Sequence, residues 1–358
     1  MKDRFGAWAV VAGLGAASLG LVSCSAGDPD LSAPTSSPSS STPASSPSSV
    51  EPTATPSSTA PTEPAHVVAI SVDGLAVEAL LELGTKETPH LHRLLDEGAS
   101  TLNARTAYEK NVTLPNHVGM VTGRRIDAAG GGHGVTWNGN PVGDTVQAAA
   151  GEKVASIFSV AHRHHLTTAL FAGKTKFDIM RDSWPRSIDD FEVRKPQGRL
   201  VADAIAHLVS AQPNLTFLHL AGPDAAGHRT GGMGVAYLDA VREIDRLVGK
   251  VVAAIEHTPA LDGTTTVILT ADHGFAAGTR DHGAPVPANY TIPFVVWGPD
   301  VAAGDLYASN PQRRDPGTGR PSYDGAQPIR NLDLADAAMH VLGLPSVPPD
   351  AGPPDLRW

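Results

Sequence analysis

Cysteine is nearly absent from this sequence, since Cys24 is the only one among 358 residues. Without a second cysteine the chain cannot form an internal disulfide, so its stability must come from a hydrophobic core and from any bound metal. A surplus of positive charge is also absent, because the formal net charge is −10. We therefore expect no specific nucleic-acid binding, and any anionic substrate must be attracted by local charges.

A long membrane-spanning run is absent from the N-terminus, where the apolar stretch is short for a bilayer. Lys2 and Arg4 precede this stretch, and Leu21-Val-Ser23 ends it just before Cys24. This arrangement is typical of a secretion signal, so residues 1–23 are predicted to be removed. The ending resembles a bacterial lipobox. We therefore expect an exported, cell-surface protein that is anchored to the bacterial cell membrane by a lipid on Cys24.

Residues 24–65 are dominated by Ser, Pro, Thr, Ala and Gly. Such a composition buries little apolar surface, and it predicts a disordered tether. The remaining residues, 66–358, contain no repeat of 20 to 50 residues and no sustained heptads. Their length lies within the range of large α/β proteins, so we predict one domain.

Apolar, β-rich runs alternate with helix-like segments along this domain. The alternation predicts an α/β fold with a mostly parallel central sheet and helices on both faces. The predicted strands are 66–71, 168–172, 215–220, 265–270 and 292–297. The predicted helices are 88–97, 198–211, 235–256 and 332–342.

Three aspartates follow predicted strands, namely Asp73, Asp224 and Asp272. Each alone could form a turn or cap a helix. Ligands of open α/β sheets, however, bind beyond the carboxyl ends of the strands, so the three acids are expected to converge on one crevice.

Histidines accompany two of these acids. Asp224 is followed four residues later by His228, Asp272 is followed directly by His273, and His282 lies a short loop further on. Carboxylate and imidazole ligands suit zinc, with manganese or iron as possible substitutes. The other histidines without an acidic partner in a motif are expected to be ordinary surface or core residues: His162, His164, His165, His219 and His340.

Thr113 lies two residues before Pro115, which can occupy the first position of a helix. Thr113 would then precede the positive end of that helix, where an oxyanion meets unpaired N–H groups. A threonine hydroxyl needs a base or a metal to become a nucleophile near neutral pH. The plainer interpretation is that Thr113 caps the helix.

Taken together, these motifs resemble the alkaline phosphatase superfamily and, within it, the type I phosphodiesterase/nucleotide pyrophosphatase family. The resemblance covers residue 66 to the C-terminus and rests on the order and spacing of its motifs. These motifs are Asp73, Thr113-Leu-Pro-Asn-His117, His133-Gly-Val-Thr-Trp-Asn138, Asp224-x-x-x-His228, Asp272-His273-Gly274 and His282.

The resemblance implies two zinc sites and a phospho-threonine intermediate on Thr113. Asn138 is implied to hold a non-bridging phosphoryl oxygen. One metal would be held by Asp73, Asp272, His273 and the Thr113 oxygen, and the other by Asp224, His228 and His282. In many members the last histidine comes far after the Asp-His pair, whereas His282 follows closely, which suggests that the loop shaping the nucleotide pocket is missing or moved.

The implied reaction is hydrolysis of phosphodiester or pyrophosphate bonds in a small phosphate ester or nucleotide, because the Asn138 amide suits the single charge of a diester. Phosphonoacetate hydrolases of the same superfamily carry a Lys-x-Lys comparable to Lys174-Thr-Lys176, so a phosphonate substrate is an alternative, although an exposed loop is the plainer interpretation. A phosphomonoesterase and a lipid-anchored, metal-containing binding protein remain further alternatives. A sulfatase is disfavoured, because that branch needs Cys or Ser where this chain has Thr113.

Overall fold

The computed structural model describes residues 65–139, 143–348 and 356–358. The chain separates into residues 1–58 and 59–358, and the described residues all belong to the second unit. The predicted signal peptide, Cys24 and nearly all of the predicted tether lie outside the described residues. No helix within the described ranges combines the length and the apolar character that crossing a bilayer requires.

The described residues form one sheet of eight strands in the order β4-β3-β5-β1-β6-β7-β2-β8. The strands are β1 His66–Val72, β2 Ala99–Arg105, β3 Thr168–Ala172, β4 Asp190–Val193, β5 Leu215–Leu220, β6 Thr265–Thr270, β7 Thr291–Trp297 and β8 Gly304–Asp305. Only β7 runs against its neighbours, pairing antiparallel with β6 and β2. The other pairs are parallel, which confirms the predicted, mostly parallel sheet.

Helices pack against this sheet in two groups. The α-helices are α1 Val77–Glu87, α2 Pro89–Glu97, α3 Thr113–Thr122, α4 Val146–Ala150, α5 Ile157–Arg163, α6 Asp178–Ser183, α7 Gln197–Ala211, α8 Gly222–Thr230, α9 Val235–Glu256, α10 Pro287–Tyr290, α11 Leu306–Ser309 and α12 Asp333–Val341. Helices α1, α2, α7 and α8 contact α9, whereas α3 and α5 contact α12. Both groups also contact strands, α7 on β3 and β5, and α12 on β1 and β6.

The central strands form the core because they are rich in apolar residues and contain no charged side chain other than histidine. Every residue of β1, β5 and β6 is buried. Strands covered on both faces show such continuous apolar runs instead of alternation. This is why β3, β5 and β6 begin and end at the residues predicted from the sequence.

The start of α3 differs from the prediction. Val112 is the N-cap and Thr113 is the first helical residue, so Pro115 occupies the third position instead of the first. The first-turn N–H groups of a helix have no intrahelical partner, and proline is therefore tolerated there as well. Because Val112 occupies the N-cap position and Thr113 lies inside the helix, the capping interpretation of Thr113 is contradicted.

Arg105 is a fully buried cation at the end of β2. Its guanidinium donates to the carbonyl oxygens of Gly317 at 2.6 Å, Gly319 at 2.8 Å and Ala104 at 2.9 Å. The guanidinium carbon also lies 5.4 Å from the ring centroid of Tyr290. Arg105 thus ties the segment around Gly317 to the sheet.

Replacing Arg105 with Met should lower the free energy of unfolding by about 3 kcal/mol, because buried carbonyl groups lose their donors while the apolar stem is kept. Denaturant unfolding measures this loss. Arg246 on the exposed face of α9 provides the control, since its replacement with Met should change stability by less than about 0.5 kcal/mol. A similar small change for Arg105→Met would contradict a structural role for the network.

Candidate active site

The three aspartates lie side by side at the carboxyl ends of adjacent strands. Asp73 directly follows β1, Asp272 follows β6 after one residue, and Asp224 lies in the first turn of α8 after β5. The Asp224 N–H donates to the Asp73 carbonyl at 3.1 Å. The Gly74 N–H donates to Asp272 Oδ1 at 3.0 Å. The structure therefore places all three acids in one crevice, as the strand pattern predicts.

Two glycines allow this close approach. Gly74 has φ +71°, and a Cβ atom there would lie 3.0 Å from Asp224 Cα, so a larger residue would push the two strand ends apart. A Cβ atom on Gly227 would lie 2.5 Å from the ring of Phe275. That ring packs against His228, with 5.4 Å between the ring centroids.

Asp73, Asp272 and His273 form the first group of possible metal ligands, with one ligand atom from each within 4.8 Å of the others. His273 Nε2 lies 3.1 Å from Asp272 Oδ2 and 3.5 Å from Asp73 Oδ1. The other ring nitrogen, Nδ1, donates to the Gly274 carbonyl at 2.9 Å. This bond places a proton on Nδ1 and directs Nε2 at the carboxylates.

Asp224, His228 and His282 form the second group. The Nε2 atoms of His228 and His282 lie 3.2 and 3.3 Å from Asp224 Oδ1, and 3.2 Å from each other. Their Nδ1 atoms donate to the carbonyls of Arg280 at 2.8 Å and Asn111 at 2.7 Å. Three potential ligand atoms, one from each side chain, therefore converge.

Both groups fit a bound cation. Among the described residues, the buried atoms without a hydrogen-bond partner include Asp73 Oδ1, Asp224 Oδ1, Asp272 Oδ2 and His273 Nε2. A buried polar atom without a partner is costly, and one metal ion in each group would satisfy these atoms. The nitrogen and oxygen donor set suits zinc. His228 is exposed, so the second group opens to solvent.

The electrostatics of the site show an excess of negative charge. Burial lowers the pKa of His273, but the carboxylates of Asp272, Asp73 and Asp224 outweigh burial and raise it to about 9. Such an excess attracts cations to the crevice.

Lys174 joins the two groups, although the sequence suggested an exposed loop there. Its Nζ lies 2.6 Å from Asp73 Oδ2 and 2.6 Å from Asp224 Oδ2. Burial and Asp224 raise the pKa of Asp73, but Lys174 and His219 outweigh them and hold it well below its usual range. The exposed-loop interpretation is therefore wrong for Lys174, because its ammonium group forms ion pairs with Asp73 and Asp224.

His219 was expected to be ordinary, yet its Nε2 lies 2.9 Å from Asp73 Oδ2. Its Nδ1 accepts the Gly173 N–H at 3.1 Å, so the proton is on Nε2 and is donated to Asp73. The signal in the sequence was a histidine inside an otherwise apolar strand, which needs a buried partner. His162, His164 and His165 are exposed, as predicted.

Contacts on both sides hold Thr113 beside the two groups. Two residues before it, Asn111 accepts the hydrogen bond from His282. One turn after it, His117 Nδ1 bonds to the Thr113 carbonyl at 2.8 Å and lies 3.6 Å from Asp272 Oδ2. Burial lowers the pKa of His117 to about 4, so this imidazole is neutral near pH 7.

Asn138 is linked to the same helix start. Its Oδ1 accepts the Leu114 N–H at 2.9 Å and the Lys176 Nζ at 2.9 Å. Both contacts use the carbonyl end of the side chain and thereby orient the amide nitrogen. Arg124 and Arg125, which follow α3, pair instead with Glu152 and Glu109.

Comparison with known proteins gives a family and a fold. Residues 67–324 match the family described as type I phosphodiesterase / nucleotide pyrophosphatase. GPI ethanolamine phosphate transferase 1 of Mus musculus is 26% identical over 256 residues, covering 66% of this chain and 26% of that protein. The Neurospora crassa protein of the same name is 32% identical over 146 residues, covering 41% and 13%. The chain thus matches about a quarter or less of the length of these relatives.

Two solved structures share the fold. Inactive murine ectonucleotide pyrophosphatase / phosphodiesterase 5 in complex with AMP has a TM-score of 0.59 and 15% identity, covering 79% of this chain and 96% of that chain. A 2-O GAG sulfatase has a TM-score of 0.60 and 16% identity, covering 81% and 73%. The match over residues 67–324 shows that this chain belongs to the type I phosphodiesterase/nucleotide pyrophosphatase family.

Proposed function

We propose that this protein is a metal-dependent hydrolase of phosphodiester or pyrophosphate bonds, with Thr113 as the nucleophile. The observation that carries the proposal is the meeting of two acid and histidine groups at the start of α3, where Thr113 is the first residue. Family membership supports phosphoric ester chemistry.

Two metal ions, most simply Zn²⁺, fit the two groups. Asp73, Asp272, His273 and the Thr113 oxygen would hold one ion, and Asp224, His228 and His282 the other. Bound metal ions would polarise oxygen atoms and lower the pKa of a hydroxyl or water. The backbone bonds to the three Nδ1 atoms keep the Nε2 atoms aimed inward whether or not substrate is present.

Thr113 would attack phosphorus in line with the leaving oxygen and form a phosphate ester on its own side chain. Water would then attack the same phosphorus from the side opposite Thr113, and the threonine hydroxyl would be regenerated. Two successive in-line displacements give net retention at phosphorus.

Asn138 would stabilise the charge that develops on a phosphoryl oxygen. The Leu114 N–H is occupied by Asn138 Oδ1, so it orients this side chain. The Asn138 amide nitrogen is then the donor directed at substrate. One donor of this kind is worth about 3 kcal/mol of transition-state stabilisation.

A phosphonate substrate is the second candidate, because Lys176 reaches Asn138 and Lys174 reaches the acids. Two cations beside the phosphoryl site would suit a substrate with a carboxylate close to phosphorus. Transfer of a substituted phosphate to an acceptor other than water, the kind of reaction named for the relatives, would share the first displacement and differ only in the acceptor.

Replacing Thr113 with Ala should reduce turnover at least about a thousandfold, because the nucleophile is removed. Steady-state hydrolysis of a chromogenic diester measures this, and elemental analysis should find nearly unchanged metal content. Thr113→Ser is the matched control, since it keeps the hydroxyl and should retain clear activity. Activity equal to the native protein in Thr113→Ala would exclude Thr113 as nucleophile, and a native protein without activity would favour a binding function.

Removing metal with a chelator should abolish activity and lower the melting temperature, since ligands that bind only the native state stabilise it. Added zinc should restore both. His228→Ala should weaken the exposed group and lower metal content toward one ion per chain, whereas His162→Ala on the exposed end of α5 should not. An unchanged melting temperature after complete metal removal would contradict the proposed metal sites.

A substrate panel separates the two candidate functions. The phosphodiesterase proposal predicts that bis(p-nitrophenyl) phosphate is hydrolysed at least about tenfold faster than p-nitrophenyl phosphate or phosphonoacetate. Lys176→Met should then reduce diester hydrolysis only modestly. A preference for phosphonoacetate that disappears in Lys176→Met, but not in the exposed control Lys250→Met, would favour the phosphonate hydrolase.

A further inference from the structure

A cavity of about 460 Å³ adjoins the candidate active site. Lys174 and Lys176 line it, and these same lysines bond to Asp224 and Asn138. The cavity therefore begins where the reacting phosphoryl group would lie. Lys195 and Gln197 line it as well.

The cavity is large for the phosphoryl group alone. Small-molecule sites in proteins measure about 300–1,000 Å³, and this cavity falls within that range. A carboxymethyl group such as that of phosphonoacetate would fill only a small part of it. The space suits a larger substituent on phosphorus.

The walls of the cavity are positively charged. Lys174 is balanced by Asp73 and Asp224, whereas Lys176 donates to the uncharged Asn138. Among the described residues, Lys195 has no acidic partner within 4.0 Å. No carboxylate contributes to the lining in the described part of the chain. Two lysine charges therefore remain to attract an anion.

Most of the other residues that line the cavity have small side chains. Gly173, Gly222 and Ala221 line the cavity, and within the described ranges no aromatic side chain does so. A nucleobase would lack the stacking partner that such sites commonly use. The small, positively charged lining therefore favours an anionic substituent over a nucleobase.

We propose that this cavity is a subsite for an anionic group that the substrate carries away from its reacting phosphorus, and that Lys195 is a specificity-determining residue of this subsite. The inference rests on the proposed function, which places the phosphorus beside Thr113. The substrate class is a phosphate ester or pyrophosphate whose substituent bears a carboxylate or a second phosphate. The ammonium group of an ethanolamine phosphate, the group named for the relatives, would be repelled here.

Binding to the Thr113→Ala protein with zinc tests the subsite without requiring turnover. Calorimetry would compare four ligands that share a three-carbon phosphonate scaffold: phosphonopropionate, propylene bisphosphonate, uncharged propylphosphonate and cationic aminopropylphosphonate. We expect the two ligands with a second anion to bind about tenfold more tightly than propylphosphonate, and aminopropylphosphonate to bind more weakly. The better of the two anionic ligands identifies carboxylate or phosphate as the preferred group.

Lys195→Met in the same background should reduce the anionic preference about fivefold. Lys195→Arg should keep most of it, and Lys250→Met on the exposed face of α9 should keep all of it. Equal affinity for the four ligands, or an unchanged preference in Lys195→Met, would overturn the proposal. If the anionic ligands bind more tightly but the native protein hydrolyses none of the phosphate esters, the proposed function is refuted and the subsite stands. If the native protein hydrolyses them but the four ligands bind equally, the subsite is refuted and the proposed function stands.

Discussion

Mutual repulsion among three buried carboxylates is the constraint on which this site depends. Asp73, Asp224 and Asp272 are fixed by the order of adjacent parallel strands, and all three are buried. Like charges in a poorly solvated crevice destabilise the fold unless cations compensate them. Lys174 supplies one positive charge between the groups, and the converging histidine Nε2 atoms are candidate metal ligands. The requirement for cations follows from the strand order.

Backbone carbonyls fix the orientation of the three histidine rings beside these carboxylates. His228, His273 and His282 each use Nδ1 to bond a main-chain oxygen, so their Nε2 atoms face the acids. His282 is bonded through Asn111, two residues before Thr113, and this couples the second group to the start of α3. Such preorganisation limits the rearrangement needed during reaction, which is how an enzyme site gains most of its electrostatic stabilisation. The lysine-lined cavity beside this site carries the opposite, positive charge.

Sequence patterns identified the parts of the site that depend on strand ends. Continuous apolar runs defined β3, β5 and β6, and the aspartates beyond β1, β5 and β6 converge as predicted. Strand β2 contains both polar and apolar residues, so its sequence did not predict a strand. The His219 contact joins residues 146 positions apart, and the pairing of Lys174 with two acids depends on tertiary structure. From the sequence alone such a lysine is interpreted as solvated, because the carboxylates that pair with it lie far away along the chain. The cavity could not be predicted from the sequence either, since four separate segments line it.

The most direct test of this account is anomalous diffraction at the zinc edge from crystals of the active protein. The account predicts two peaks, each touching one ligand group and both near the Thr113 hydroxyl. The groups are Asp73, Asp272 and His273 for one peak, and Asp224, His228 and His282 for the other. A fully active protein with no peak at either group, or with a peak at a different set of side chains, would contradict the claim that these residues form a two-metal site.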